Sequence, residues 1–278
     1  MPVPKGAAGP AEASGKMPRV LVVANQKGGV GKTTTAINLG TALAAIGQAT
    51  LIIDIDPQGN ASTGLGIAES ERSRTIYDVL LGESSLVDAV MATRIPNLWL
   101  VPSTVDLSGA ELELVNRADR NFILRAAMDS LPKHVGKLSY VLIDCPPSLT
   151  LLTVNAMAAA DAVMVPLQCE FFALEGLSQL LKTIDLVRGN LNPDLEIQGI
   201  ILTMFDKRNR LAVQVAEDVR THMGEKVYDT MIPRNVRISE APSHGLPALI
   251  YDLRCPGSQA YIKLAGEMIK RERASQAA

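Results

Sequence analysis

A chain of 278 residues that is 47% hydrophobic and 20% charged can bury a sizeable core in one large domain or two small ones, which excludes disorder and fibre. Lysine and arginine number 27 against 29 aspartates and glutamates, a formal charge of -2. A strongly basic packaging protein is therefore excluded, and contact with a polyanion requires a local basic patch. Cys145, Cys169 and Cys255 are odd in number and widely spaced, with neither a CxxC pair nor a histidine cluster, and read as reduced thiols of a cytosolic protein.

The first sixteen residues are rich in Pro, Gly, Ala and Ser and lack the apolar stretch of a secretory signal, which predicts a disordered tail. From Arg19 short apolar runs alternate with longer amphipathic ones, the mark of βαβ units. Strands are expected at Val20–Ala24, Ala49–Asp54, Leu98–Val101, Tyr140–Asp144, Ala162–Val165 and Ile197–Leu202. Helices are expected at Thr33–Ile46, Ala110–Val115, Asn121–Ser130, Thr150–Ala159, Leu174–Arg188, Leu211–Met223 and Ser258–Arg271. No repeat or linker interrupts the body. The fold class is α/β: one domain built on a doubly wound, mostly parallel sheet with helices on both faces. No apolar run approaches the roughly 18 residues of a membrane span.

The first strand runs into Asn25-Gln26-Lys27-Gly28-Gly29-Val30-Gly31-Lys32-Thr33-Thr34 and then a helix. Glycines let backbone N–H groups turn inward around phosphate oxygens, and the following helix adds its dipole. Lys32 would neutralise the β/γ-phosphates and the Thr33 hydroxyl would ligate Mg²⁺. One departure stands out: the usual GxxxxGK[ST] loop has glycine where Gln26 stands, and Lys27 follows it. Two further strands end in acids. Asp144 closes an apolar strand where a doubly wound sheet places its ligands, and fits the role of holding Mg²⁺ directly or through water. Asp54 and Asp56, two residues apart, share one side of an extended chain.

The loop from Lys27 to Thr34, the Asp54-Ile55-Asp56-Pro57-Gln58-Gly59-Asn60 run, Asp144-Cys145-Pro146-Pro147 and Ile232-Pro233-Arg234-Asn235-Val236-Arg237 resemble the deviant Walker ATPases of the ParA/Soj chromosome-partitioning family. The likeness runs from about Arg19 to Ile269, and Glu240–Gly245 points to the partitioning branch. It implies a disordered tail over 1–18, one P-loop ATPase domain over 19–271 and a C-terminal tail over 272–278. Larger plasmid-type relatives carry an N-terminal DNA-binding extension; sixteen residues cannot supply one, so the short type is expected.

The resemblance further implies binding of ATP or ADP with Mg²⁺, at Lys27, Gly28, Gly29, Val30, Gly31, Lys32, Thr33 and Thr34, with metal support from Thr33, Asp54 and Asp144. It implies a homodimer formed with ATP, in which Lys27 reaches the partner's phosphates as an arginine finger does. Lys27, Lys32 and Asp56 are the expected catalytic residues, Asp56 orienting water. Hydrolysis should be slow and stimulated by a ParB-type centromere-binding protein. Met204–Asp206 and Ile232–Asn235 should lie near the base, with Pro233 and Asn235 as contacts. Lys207, Arg208, Arg210, Arg234 and Arg237 are the candidates for non-specific double-stranded DNA binding, in a cytoplasmic, nucleoid-associated protein. With 4% aromatics, stacking on single strands is not expected.

Two other readings compete. A MinD-like membrane-cycling cell-division ATPase would use the terminal helix, whose Tyr261, Leu264, Ala265, Met268 and Ile269 share one face, as a membrane anchor. Packing of that face on the core, without membrane contact, is the expectation here. A relative of the nitrogenase iron protein would bridge an iron–sulfur cluster with Cys145 and Cys169, which lack that family's glycine-flanked setting.

Overall fold

The computed structural model describes residues 17–129, 131 and 138–277, with side chains up to 274. The expected N-terminal tail lies outside the described residues except for Met17 and Pro18, as does Ser130 at the end of one expected helix. Seven strands form one sheet: β1 (Arg19–Val23), β2 (Thr50–Asp54), β3 (Met91–Ala92), β4 (Leu98–Val101), β5 (Tyr140–Asp144), β6 (Ala162–Gln168) and β7 (Glu196–Thr203), in the order β3-β4-β2-β5-β1-β6-β7. All pairs are parallel except β3 with β4. The two-residue β3 is too short to leave a period in the sequence.

The strands are apolar on both faces because both faces are covered. Along β1, Leu21 enters one core with Ile52, Leu142 and Met164, whereas Val20 and Val22 enter the other with Ile53, Ile143 and Val163. The first core is roofed by α1 (Lys32–Ala45) and the last helix, α11 (Pro256–Ala277), joined by a buried contact of 3.2 Å between the Thr35 and Tyr261 hydroxyls. The second is roofed by α3 (Ile76–Leu81), α4 (Leu107–Leu114), α5 (Ile123–Met128), α6 (Leu151–Ala159), α7 (Ala173–Asn190) and α8 (Arg210–Met223). Short helices α2 (Asn60–Gly64), α9 (Val236–Glu240) and α10 (Ala248–Tyr251) complete the chain.

Helix α1 leaves β1 toward one face and α6 leaves the adjacent β5 toward the other, which opens a crevice at the C-terminal ends of these strands. Four helices exceed the sequence pattern because each is six residues or shorter: α2, α3, α9 and α10. Helix α3 nonetheless carries a capping box, the Thr75 hydroxyl accepting from the Tyr77 amide at 3.2 Å and Asp78 accepting from the Thr75 amide at 2.6 Å. Helix α11 runs past its expected end at Arg271 to Ala277. Its tail of Arg, Glu and Ala favours helix and offers no breaker.

Candidate nucleotide site

Between β1 and α1 the loop is held open by groups outside it. The Asn25 amide donates to the Pro166 carbonyl at 2.8 Å and its oxygen accepts from the Lys27 amide at 3.0 Å. From the far side, the Thr203 hydroxyl at the end of β7 donates to the Val30 carbonyl at 2.8 Å. Gly29 and Gly31 take φ of 74° and 90°, a region that penalises any Cβ. No side chain caps α1 and no acid occupies its first turn, so its N-terminal dipole and N–H groups face the crevice. A concave loop of this build is an anion site.

Lys32 lies buried at the base of the loop, its ammonium donating to the Lys27 carbonyl at 3.1 Å. Burial lowers its pKa while Asp144, Cys145 and Asp56 pull the other way. Asp144 and Asp54 are register partners at the ends of β5 and β2. Both are fully buried, but they differ in partners. Asp54 accepts from the Ser62 amide at 2.9 Å and hydroxyl at 2.7 Å, and from the Asp56 amide at 3.3 Å. Burial still raises its carboxyl to about 6. Among the described residues neither oxygen of Asp144 has a hydrogen-bond partner. Burial first, and the charge of Asp54 second, push its pKa far above the carboxylate range, offset in part by the Thr33 hydroxyl and Lys32.

Two buried carboxylate oxygens without partners, beside a threonine hydroxyl, are the hard donors a Mg²⁺ ion takes. Thr33 and Asp144 therefore fit the metal role. Asp54, also expected to support the metal, differs from Asp144 in that its carboxylate already accepts from Ser62 and the Asp56 amide. Asp56 is buried, with one oxygen accepting from the Gln58 amide at 3.0 Å.

Lys27 does not point at the loop's cavity. Its ammonium pairs with Glu170, just after β6, at 2.5 Å, both side chains being half-exposed. Glu170 also accepts from the Gln168 amide. Beside it, Phe171 and Phe172 are 74% and 61% exposed and meet edge to face. Phe205 and Pro233 form a parallel bridge, with the Arg234 amide donating to the Phe205 carbonyl at 3.1 Å. The two segments expected near the base are thus adjacent, and the side chain of Met204 faces Gly31. The Asn235 side chain caps α9, accepting from the Arg237 amide at 2.9 Å.

Lys207, Arg208, Arg210, Arg234 and Arg237 are all exposed on these two segments. Arg208 forms a fork with Asp206 at 3.0 and 2.8 Å, holding that carboxyl down at about 2. Arg237 pairs with Glu240 at 3.0 Å and Asp252 at 3.7 Å.

A family model described as an AAA domain matches residues 18–197. The chromosome partitioning protein ParA of Caulobacter vibrioides is 65% identical over 93% of this chain and 97% of its own. The sporulation initiation inhibitor protein Soj of Bacillus subtilis is 50% identical over 91% of this chain and 98% of its own. The chain belongs to the ParA/Soj chromosome-partitioning family. Among solved structures, cobyrinic acid a,c-diamide synthase from Mycobacterium smegmatis with bound ADP and magnesium aligns with a TM-score of 0.80 at 37% identity, covering 93% of this chain and 97% of that one.

In this ParA/Soj chain the thiols of Cys145, Cys169 and Cys255 are buried, and burial raises the first two. A cluster bridge would need exposed thiolates, so the iron–sulfur reading fails on position. The apolar face of α11 is equally committed: Tyr261, Leu264, Ala265 and Met268 are 1% exposed or less, packed on α1 and the sheet. Among the described residues no helix is long and apolar enough to cross a membrane. Four participants escaped the sequence reading: Glu170, the Phe171–Phe172 pair, Ser62 and Thr203. Only the aromatic doublet carried a local signal, two adjacent large rings in a chain with 4 phenylalanines.

Proposed function

We propose that the chain is an ATP-driven dimerisation switch that hydrolyses ATP slowly and, as the ATP dimer, holds double-stranded DNA without sequence preference, moving chromosome or plasmid together with a ParB-type centromere-binding partner in the cytoplasm at the nucleoid. The observation that carries it is the pairing of an unpartnered, buried Asp144 and a buried Lys32 under a glycine loop that also presents Lys27 at its rim. Bound ADP and magnesium in the synthase at 37% identity support the choice of ligand.

In this reading the loop amides and Lys32 hold the β/γ-phosphates, and Thr33 and Asp144 hold Mg²⁺. A Mg²⁺ held by those two residues would supply positive charge for the phosphates. Asp56 orients the attacking water. Lys27 leaves Glu170 and places its charge against the partner's phosphates. Phe171 and Phe172, exposed beside it, suit burial against a second copy. Pro233 and Asn235 border the base, and Arg208 and Arg237, with Lys207, Arg210 and Arg234, face duplex phosphates. No strong general base stands among these groups, which agrees with slow turnover and acceleration by a partner.

Size-exclusion chromatography tests the switch directly. Monomer is expected with ADP, dimer with non-hydrolysable ATP, and co-elution with plasmid DNA only in the second case. One elution position under all conditions would overturn the reading.

A further inference from the structure

We infer that Arg72 is a positioning residue for hydrolysis, acting on Asp56 through the turn that follows it. The guanidinium lies between three segments and bonds neutral oxygens in each. Its Nη1 donates to the Ser103 carbonyl at 2.9 Å, after β4. Its Nη2 donates to the Thr63 hydroxyl at 2.8 Å and the Ile67 carbonyl at 2.8 Å, and Nε reaches the same carbonyl at 3.3 Å.

Two relays lead from there to the acids of the site. Thr63, its hydroxyl rotor oriented by Arg72, donates to the Gly59 carbonyl at 3.1 Å, and the Gly59 amide donates to the Asp56 carbonyl at 2.9 Å. Ser103, whose carbonyl Arg72 holds, donates its amide to the Ser62 hydroxyl at 3.1 Å, and that hydroxyl donates to Asp54. The guanidinium also crowds Gly59: a Cβ there would sit 2.6 Å from Nη1 and 2.9 Å from the Ser103 carbonyl oxygen. With φ of 60°, Gly59 is the one residue type this turn admits.

Among the described residues no carboxylate pairs with Arg72; the oxygens it bonds are carbonyls and a hydroxyl. A planar fork reaches the three divergent oxygens from separate nitrogens in pre-set directions, which the point charge of an ammonium does not reproduce. Since a displacement of about 1 Å in a positioning group costs up to roughly 100-fold in rate, a clamp on the Asp56 turn belongs to catalysis.

The catalytic half of this inference rests on the hydrolase reading above; the positional half does not. Arg72→Ala in the full chain should speed amide hydrogen exchange across residues 57–63 by about 10-fold, with little change elsewhere. It should lower kcat for ATP by roughly 10- to 100-fold while KM stays within about twofold. Arg72→Lys should restore neither in full. Thr63→Val, which cuts one relay, gives the same pattern at smaller size and replaces Arg72→Ala should that variant not fold. Unchanged exchange over 57–63 overturns the inference, as does a rise in KM with kcat intact. Absence of hydrolysis in the unaltered protein would overturn the hydrolase reading, with the exchange measurement still deciding whether Arg72 holds the turn.

Discussion

Lys32 is buried with carboxylates on one side and a backbone carbonyl on another, an arrangement that favours the ammonium once phosphate arrives. Lys32→Ala should abolish nucleotide binding, read by titration with a fluorescent ATP analogue; retained affinity would remove Lys32 from that role. The buried Asp56 carboxylate accepts from the Gln58 amide through one oxygen, and among the described residues no hydrogen bond is made to the other, which leaves it to meet a water. Asp56→Ala should hold nucleotide and dimer while turnover falls by about 100-fold or more, measured as phosphate release. The Lys27–Glu170 pair is half-exposed and so weak in itself, but it must break before Lys27 can reach a second protomer. Glu170→Gln should therefore lower the protein concentration needed for the ATP-dependent dimer, seen by light scattering, and Lys27→Ala should abolish the dimer without loss of monomeric binding.

The loop after β7 and the segment leading into helix α9 meet through the Phe205–Pro233 bridge, which brings basic residues far apart in sequence onto neighbouring segments. The fork of Arg208 on Asp206 means that DNA would exchange a carboxylate for a phosphate. Two consequences follow for filter binding of the ATP-bound protein. If a dimer presents Arg208 twice to duplex phosphates, Arg208→Ala should make the slope of log affinity against log salt shallower by about 1.8, twice the roughly 0.9 per phosphate, equally on unrelated sequences. Asp206→Asn should strengthen binding. Wild-type affinity in both variants would return these residues to a solvated face. Helix α11 tells the opposite story: the stripe of Tyr261, Leu264, Ala265 and Met268 is occupied by α1 and the sheet.

Across the fold, two carboxyls at adjacent strand ends are buried with raised pKa values. Protonation is easier in the folded state than in the unfolded chain, so their contribution to stability is full below the ordinary carboxylate range near 4 and is lost as pH rises. For Asp54 the loss passes through about 6, and for Asp144 it continues higher. Protein free of metal and nucleotide should accordingly melt at falling temperatures from pH 5 to 8, relative to Asp144→Asn, whose curve should be flatter. Mg²⁺ with ADP should reverse the decline in the unaltered protein by binding the charged form. Equal pH slopes in the two proteins under chelation would contradict the assignment.

Much of this was legible in the chain because the informative residues are local. Lys27 to Thr34 lie within one loop, and Leu98–Val101 and Tyr140–Asp144 are runs whose apolarity by itself marks a doubly covered strand, matching β4 and β5 residue for residue. Boundaries of α1 and α8 fell within a residue for the same reason, since a glycine and an asparagine cap them in place. What the chain did not disclose is who faces whom across long separations. Asp54 and Asp144 look alike as acidic strand ends, yet Ser62, eight residues on and brought back by α2, satisfies one and leaves the other bare. Glu170 is 143 positions from Lys27 and Ser103 is 31 from Arg72, so neither contact leaves a spacing to read. Local pattern determined every strand but the two-residue β3, the loop and the family; only the closing of the sheet, which sets neighbours by space rather than by order, decided which carboxylate stays free and which lysine is restrained.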